Sequence, residues 1–145
     1  MSQVEELYTL FLETYLLLDD NERHFFDQYD LSSARYHALW HIQKSPGLSL
    51  RELSSLLLCT KGNTTRIVKS LEAEGYLTRQ VDQDDNRVLC LNLTAKGQTL
   101  LGEVAQAYQE FRQACFGKLS FDEQGSFRFN LLRLNEYLRA RLQSL

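Results

Sequence analysis

Between Lys61 and Ala95 the spacing of apolar residues changes period twice, and this constrains the fold more than any other feature of the chain. From Lys61 to Glu74 the spacing is helical, and Gly75 follows as a left-handed C-cap position that glycine fills without penalty. From Leu77 to Leu93 the repeat drops to two. Leu89, Leu91 and Leu93 alternate with Val88, Cys90 and Asn92, as in a half-buried strand. Leu77, Arg79 and Val81 supply its partner, with Asp82-Gln83-Asp84-Asp85-Asn86 as the turn between them. Thr94 then caps a return to helical spacing. Upstream, Ser49-Leu50-Arg51-Glu52 is a capping box that starts a short helix ending near Leu58, with a break at Cys59-Thr60. Two helices joined by a tight turn and followed by a hairpin read as a helix-turn-helix with a wing, which is a DNA-binding architecture.

The flanking segments are helical as well. Val4, Leu7, Phe11 and Leu18 step along the first segment, and Leu10, Tyr15 and Leu17 widen the stripe beyond what a monomer surface needs. Ser32 or Ser33 caps a helix running through Trp40 to Lys44, stopped by Ser45-Pro46-Gly47. After Thr94 come Leu101, Val104, Tyr108, Phe111 and Cys115, stepping by three and four. Gly117 interrupts, Ser120-Phe121-Asp122-Glu123 offers another capping box, and Phe127, Leu131, Leu134 and Leu138 repeat the stripe. Such stripes want partner helices. The predicted class is mainly α with a small β-wing: a winged helix-turn-helix domain plus a dimerisation layer from the N- and C-terminal helices. The expected boundaries are 1–31 for the dimerisation helix and connector, 32–95 for the winged domain and 96–145 for the C-terminal dimerisation helices. The apolar excess points to a homodimer, with a monomeric four-helix bundle as the alternative.

Composition sets outer limits on this reading. The chain has 145 residues, 43% of them hydrophobic and 24% charged, which fits one folded domain with an oligomerisation layer and argues against disorder. No uncharged run approaches the roughly 18–20 residues needed to span a bilayer, so no membrane partner is expected. Three cysteines write no disulfide framework, and Met1 to Glu6 lacks the features of a secretory signal. A cytoplasmic location is the expectation. The net charge of −3 looks unfavourable for a polyanionic partner until it is resolved by position. Residues 1–48 hold eight acids and three bases, whereas Cys59 to Leu71 holds Lys61, Arg66 and Lys69 and no acid.

Leu71-Glu72-Ala73-Glu74-Gly75-Tyr76-Leu77-Thr78-Arg79, then Asp85-Asn86-Arg87, then Leu93-Thr94-Ala95-Lys96-Gly97 resemble the multiple-antibiotic-resistance regulator (MarR) family of bacterial winged-helix repressors. The strongest part is the wing signature, Asp-x-Arg followed at fixed distance by Leu-Thr-x-x-Gly. The resemblance extends over essentially the whole chain. It implies an obligate homodimer that binds a pseudo-palindromic operator in double-stranded DNA. It also implies a regulator, most often a repressor, released by a small phenolic or lipophilic effector or by cysteine oxidation.

A helical wheel for residues 61–74 puts Thr64, Ile67 and Leu71 toward the core, and Gly62, Arg66 and Lys69 opposite, with Thr65 beside them. Lys61 and Asn63 lie at the amino end, which recognition helices commonly direct into the major groove. Arg66 suits a bidentate guanine contact, Asn63 an adenine edge, Thr65 a thymine methyl or a phosphate, and Lys69 a phosphate. Gly62 permits close backbone approach. Arg87 suits the minor groove, and the resemblance implies that Asp85 braces it.

Other residues carry weaker signals. Tyr8, Tyr15, Tyr36, Trp40 and Tyr108 are candidates for an effector cleft, with plain core as the alternative. Cys59, just before the second helix of the pair, is the candidate redox residue, with a buried turn cysteine as the alternative. Cys115 lies on an apolar stripe and reads as a small core residue, and Cys90 as an outward or sideways position on the wing. His37 and His41 are four apart, but no further ligand is suitably spaced, so no metal and no cofactor is expected. No phosphate loop, nucleophile elbow or H-E-x-x-H helix occurs, so no enzyme is expected. The alternative functions are a winged-helix protein–protein adaptor without DNA binding and a cysteine redox-sensing repressor.

Overall fold

The computed structural model describes residues 1–57, 61–85 and 88–145. The elements run α1 (Gln3–Asp27), α2 (Ser33–Lys44), β1 (Leu48–Ser49), α3 (Leu50–Leu57), α4 (Lys61–Ala73), β2 (Leu77–Val81), β3 (Leu89–Leu93), α5 (Ala95–Phe116) and α6 (Phe121–Gln143). The chain divides into two compact units, residues 1–106 and 107–145.

In the first unit, local chemistry fixes where the first three helices begin. At α1, the Glu5 amide donates to the Ser2 hydroxyl at 3.1 Å and the Ser2 amide to the Glu5 carboxylate at 2.7 Å, a reciprocal cap. Ser32 caps α2 through the Arg35 amide, and Ser49 receives the Glu52 amide at 3.1 Å at the start of α3. Between α1 and α2 the backbone turns through Asp30 in a left-handed conformation, φ 53°. At the end of α4, Gly75 takes φ 81°; its amide donates to the Glu72 carbonyl and the Tyr76 amide to the Leu71 carbonyl. This is the Schellman arrangement expected at Gly75.

The sheet is antiparallel in the order β1-β3-β2. Leu77 pairs with Leu93, Arg79 with Leu91 and Val81 with Leu89, so the alternating leucines place Leu91 fully inside. The third strand, β1, pairs Leu48 with Leu91 and Ser49 with Cys90. Sequence spacing does not reveal it, because two residues carry no period. The core is built from Phe26, Leu39, Ile42, Leu53, Val68, Leu71, Leu77 and Val104, all essentially without exposure. Truncating one of its larger side chains to alanine would cost about 2–5 kcal/mol.

Two expectations need correction. Ile67 is half-buried; Val68 is buried instead, because the α4 axis turns Thr64, Val68 and Leu71 inward as an i, i+4, i+7 set. Cys115 is exposed in this chain, since the stripe of α5 is covered at Leu101, Val104 and Tyr108 but not in its last turns.

The second unit contains the last turns of α5 and all of α6. Gly117 makes the turn between them: its amide donates to the Gln113 carbonyl at 2.7 Å, and a Cβ there would lie 2.4 Å from that oxygen. Ser120 and Glu123 form a complete capping box for α6. Phe116 faces Phe127 at 6.4 Å beside a shallow groove of about 340 Å³ lined by Leu119, Leu131 and Leu132. No residue of α6 is buried, and Phe127, Leu134 and Leu138 are exposed.

Candidate nucleic-acid interface

The physical basis of the site is that one side of α4 is anchored while the other is bare. Thr64, Val68 and Leu71 are buried, and α2 and α3 pack against the helix. Gly62, Asn63, Arg66 and Lys69 are exposed, and Thr65 is half-buried. A Cβ on Gly62 would meet nothing within 4 Å, so the backbone there is open to a ligand. Arg66 Nη2 donates to the Asn63 Oδ1 one turn earlier, so these two candidates form one polar unit. Together with Ser32, Ala34, Arg35, Ile67 and Ser70 they line a groove of about 390 Å³ between α4 and the start of α2. The half-buried Ile67 thus belongs to the wall of this groove.

In the wing turn the Asp82 carboxylate is bonded within the hairpin. Asp82 accepts the Asp84 amide at 2.8 Å through its side chain, while its own amide donates to the Val88 carbonyl at 2.8 Å. The Cys90 thiol donates to the other Asp82 oxygen at 3.8 Å. Partial burial and this carboxylate push the Cys90 thiol up, away from the reactive thiolate. Asp82 therefore spends its charge within the hairpin. Asp85 accepts the Val88 amide at its carbonyl, 3.0 Å. Arg87, Cys59 and the Lys61 side chain lie outside the described residues.

Two ion pairs that spacing alone does not expose hold the carboxyl end of α4. Arg79 on β2 contacts both Glu72 oxygens, with Nε at 3.1 and 3.2 Å and Nη2 at 2.9 Å. The hydrogen bonds hold the Glu72 carboxyl below the usual carboxylate range and raise the Arg79 guanidinium. Arg35 on α2 pairs with Glu74 and also donates to the Asp30 carbonyl at 3.0 Å. The signal was present as two acids just ahead of a glycine cap, with an arginine on the following strand. Their meeting depends on how sharply the chain turns at Gly75.

The aromatic candidates have different surroundings. Tyr8 and Tyr15 are exposed on α1, whereas Tyr36 is buried with its ring 5.1 Å from Phe26. Trp40 is partly exposed and carries the Lys44 ammonium 4.7 Å from its ring centre. In the second unit, Tyr108 is buried and stacks on Phe111 at 5.9 Å. His37 Nδ1 donates to the Ser33 carbonyl at 2.7 Å, and burial first, then His37 and Lys44, lower the His41 pKa below 6.5. Among the described residues no group of three or more His, Cys, Asp or Glu is placed to hold a metal ion. No helix among them is long and apolar enough to cross a membrane.

Comparison with known proteins supplies the family context. The MarR family model matches residues 31–89. The HTH-type transcriptional regulator PrsX of Escherichia coli is 30% identical over 112 residues, covering 76% of this chain and 68% of PrsX. The HTH-type transcriptional regulator BilQ of Clostridioides difficile is 30% identical over 83 residues, or 57% of this chain. That match spans 56% of BilQ, so the chain covers little more than half of this relative. Among solved structures, the Staphylococcus aureus MepR–DNA complex aligns with a TM-score of 0.83 at 21% identity, over 90% of this chain and 96% of that one.

Proposed function

The chain belongs to the MarR family of winged-helix transcriptional regulators, and from that membership we propose that it is a homodimeric, sequence-specific DNA-binding repressor. The observation that carries this reading is the bare side of α4. Asn63, Arg66 and Lys69 stand exposed on a helix whose opposite side is locked into the core. In this reading α4 enters the major groove with Lys61 at its amino end, Arg66 reads guanine, Asn63 an adenine edge, Thr65 meets a thymine methyl or a phosphate, Lys69 a phosphate, and Gly62 lets the backbone approach. Arg87 of the wing, braced by Asp85, enters the neighbouring minor groove. The MepR–DNA complex supports the architecture, as a protein of the same fold whose structure was solved on DNA.

In the same reading residues 1–31 and 96–145 supply the dimerisation layer and residues 32–95 the winged domain. The exposed Leu7 and Phe11 on α1 and Phe127 and Leu138 on α6 support this, because apolar surface of that extent gains by burial against a second copy. A two-fold dimer presents two α4 helices to half-sites about one helical turn apart. The protein works in the cytoplasm, and a small phenolic or lipophilic effector that contacts Tyr8, Tyr15, Tyr36, Trp40 or Tyr108 releases DNA.

Selection of genomic fragments with the purified protein tests the reading, followed by shift assays with phenolics, peroxide and metal salts. Recovery of pseudo-palindromic fragments with half-sites roughly 10 bp apart is the expected result. Absence of salt-dependent binding to any duplex would replace it with the protein–protein adaptor. Release by peroxide alone would favour the redox reading at Cys59.

A further inference from the structure

The corner where α4 passes into β2 is held from two sides. On one side, Arg79 grips Glu72 through Nε and Nη2, at 2.9 to 3.2 Å from the two carboxylate oxygens. The side chains are 29% and 36% exposed, so the pair is partly shielded from water and its geometry is that of a fork on a carboxylate. On the other side, the start of α5 closes over the same turn. The Thr94 amide donates to the Tyr76 carbonyl at 3.1 Å and Lys96 Nζ to the Glu74 carbonyl at 2.7 Å. Gly97 lies so close that a Cβ would be 2.2 Å from the Tyr76 oxygen. A three-residue connection held this way has little freedom to change the angle between helix and strand.

We propose that Glu72 and Arg79 are positioning residues for DNA binding: their bidentate pair fixes the wing against α4 so that both reach DNA in one geometry. The inference rests on the DNA-binding reading above. It makes a prediction opposite to that of simple charge. Glu72 is an anion near a surface proposed to meet a polyanion, so its neutralisation should tighten binding if charge alone mattered. If the pair sets geometry, neutralisation loosens binding instead.

The test uses the full chain and a DNA fragment selected by the wild-type protein, titrated at several salt concentrations with melting temperatures measured alongside. Glu72→Gln and Arg79→Gln are each expected to weaken binding about tenfold, with the log–log salt slope unchanged. Arg79→Lys should weaken it similarly, because an ammonium cannot grip both oxygens. The exchange Glu72→Arg with Arg79→Glu should regain most of the affinity. Wild-type or tighter binding by Glu72→Gln would overturn the proposal. So would a salt slope reduced by about one unit in Arg79→Gln alone, which marks a direct phosphate contact. If the single variants do not fold, the exchange variant decides: wild-type affinity supports the proposal, and a tenfold loss or failure to fold overturns it. A wild-type protein that binds no DNA at all removes the underlying reading, a result distinct from each of these.

Discussion

Arg66 stands on the exposed side of α4 with its guanidinium held by Asn63, so two side chains proposed to read separate bases share one hydrogen bond before DNA arrives. This arrangement costs Arg66 less rotamer freedom on binding, since part of its ordering is already done. Replacing Arg66 with alanine should weaken operator binding and relax base preference at one position in a competition assay. Lys69→Ala should mainly flatten the salt dependence, by roughly one unit of log–log slope. His41 gives a different residue-scale prediction. Its pKa is lowered by burial and by neighbouring cations, so the unfolded chain takes up the proton first. Its contribution to stability is complete above about pH 6.5 and declines as pH falls through the lowered native value. Urea unfolding between pH 7.5 and 5 should show a shallower loss in His41→Gln than in wild type, and parallel curves would contradict this. Most residues of the α4 surface were legible from the wheel, because exposure follows from period alone. Val68 is buried where the wheel expects Ile67, because a one-residue rotation of the helix lies within the width of an apolar stripe. The Arg79–Glu72 pair was hidden for another reason: it joins two periods across a turn.

Elements joined the same way show which parts of the fold the sequence specifies locally. The ends of α4, α5 and α6, and the β2–β3 hairpin, follow from capping residues, Gly75 and an alternating run, and all were readable. β1 was not, because its two residues gain strand geometry only by lying against Leu91 and Cys90. The same corner that carries the Glu72–Arg79 pair makes the start of α5 sensitive to any added bulk. Gly97→Ala places a methyl against the Tyr76 carbonyl, and backbone cannot step aside as a side chain can. A loss of about 1–3 kcal/mol in denaturant unfolding is expected. Unchanged stability would mean that α5 tilts away at no cost. The exposed Gly62 provides the control: alanine there meets nothing and should leave stability within about 1 kcal/mol, or raise it through helix propensity.

At the scale of the molecule, the exposed apolar surface on α1 and α6 supports the proposed pairing with a second copy. Phe11 and Leu7 lie on α1 and Phe127 and Leu138 on α6, all exposed in the single chain. A charge in that layer should separate the protomers. Phe11→Glu is expected to shift sedimentation equilibrium toward monomer and to lower operator affinity, because each half-site alone binds weakly. A dimer of unchanged stability would move the interface elsewhere. Net charge also matters here: at −3 overall, with Lys61, Arg66 and Lys69 free of acids only over the short stretch from Cys59 to Leu71, the protein should bind random DNA weakly. The most direct test of the dimeric, sequence-reading account is a titration of the selected fragment against one with about 5 bp inserted between its half-sites. The insertion turns one half-site to the opposite face of the duplex while leaving both sequences intact. The account predicts that affinity falls to the level of a scrambled duplex, and equal affinity for both fragments would contradict it.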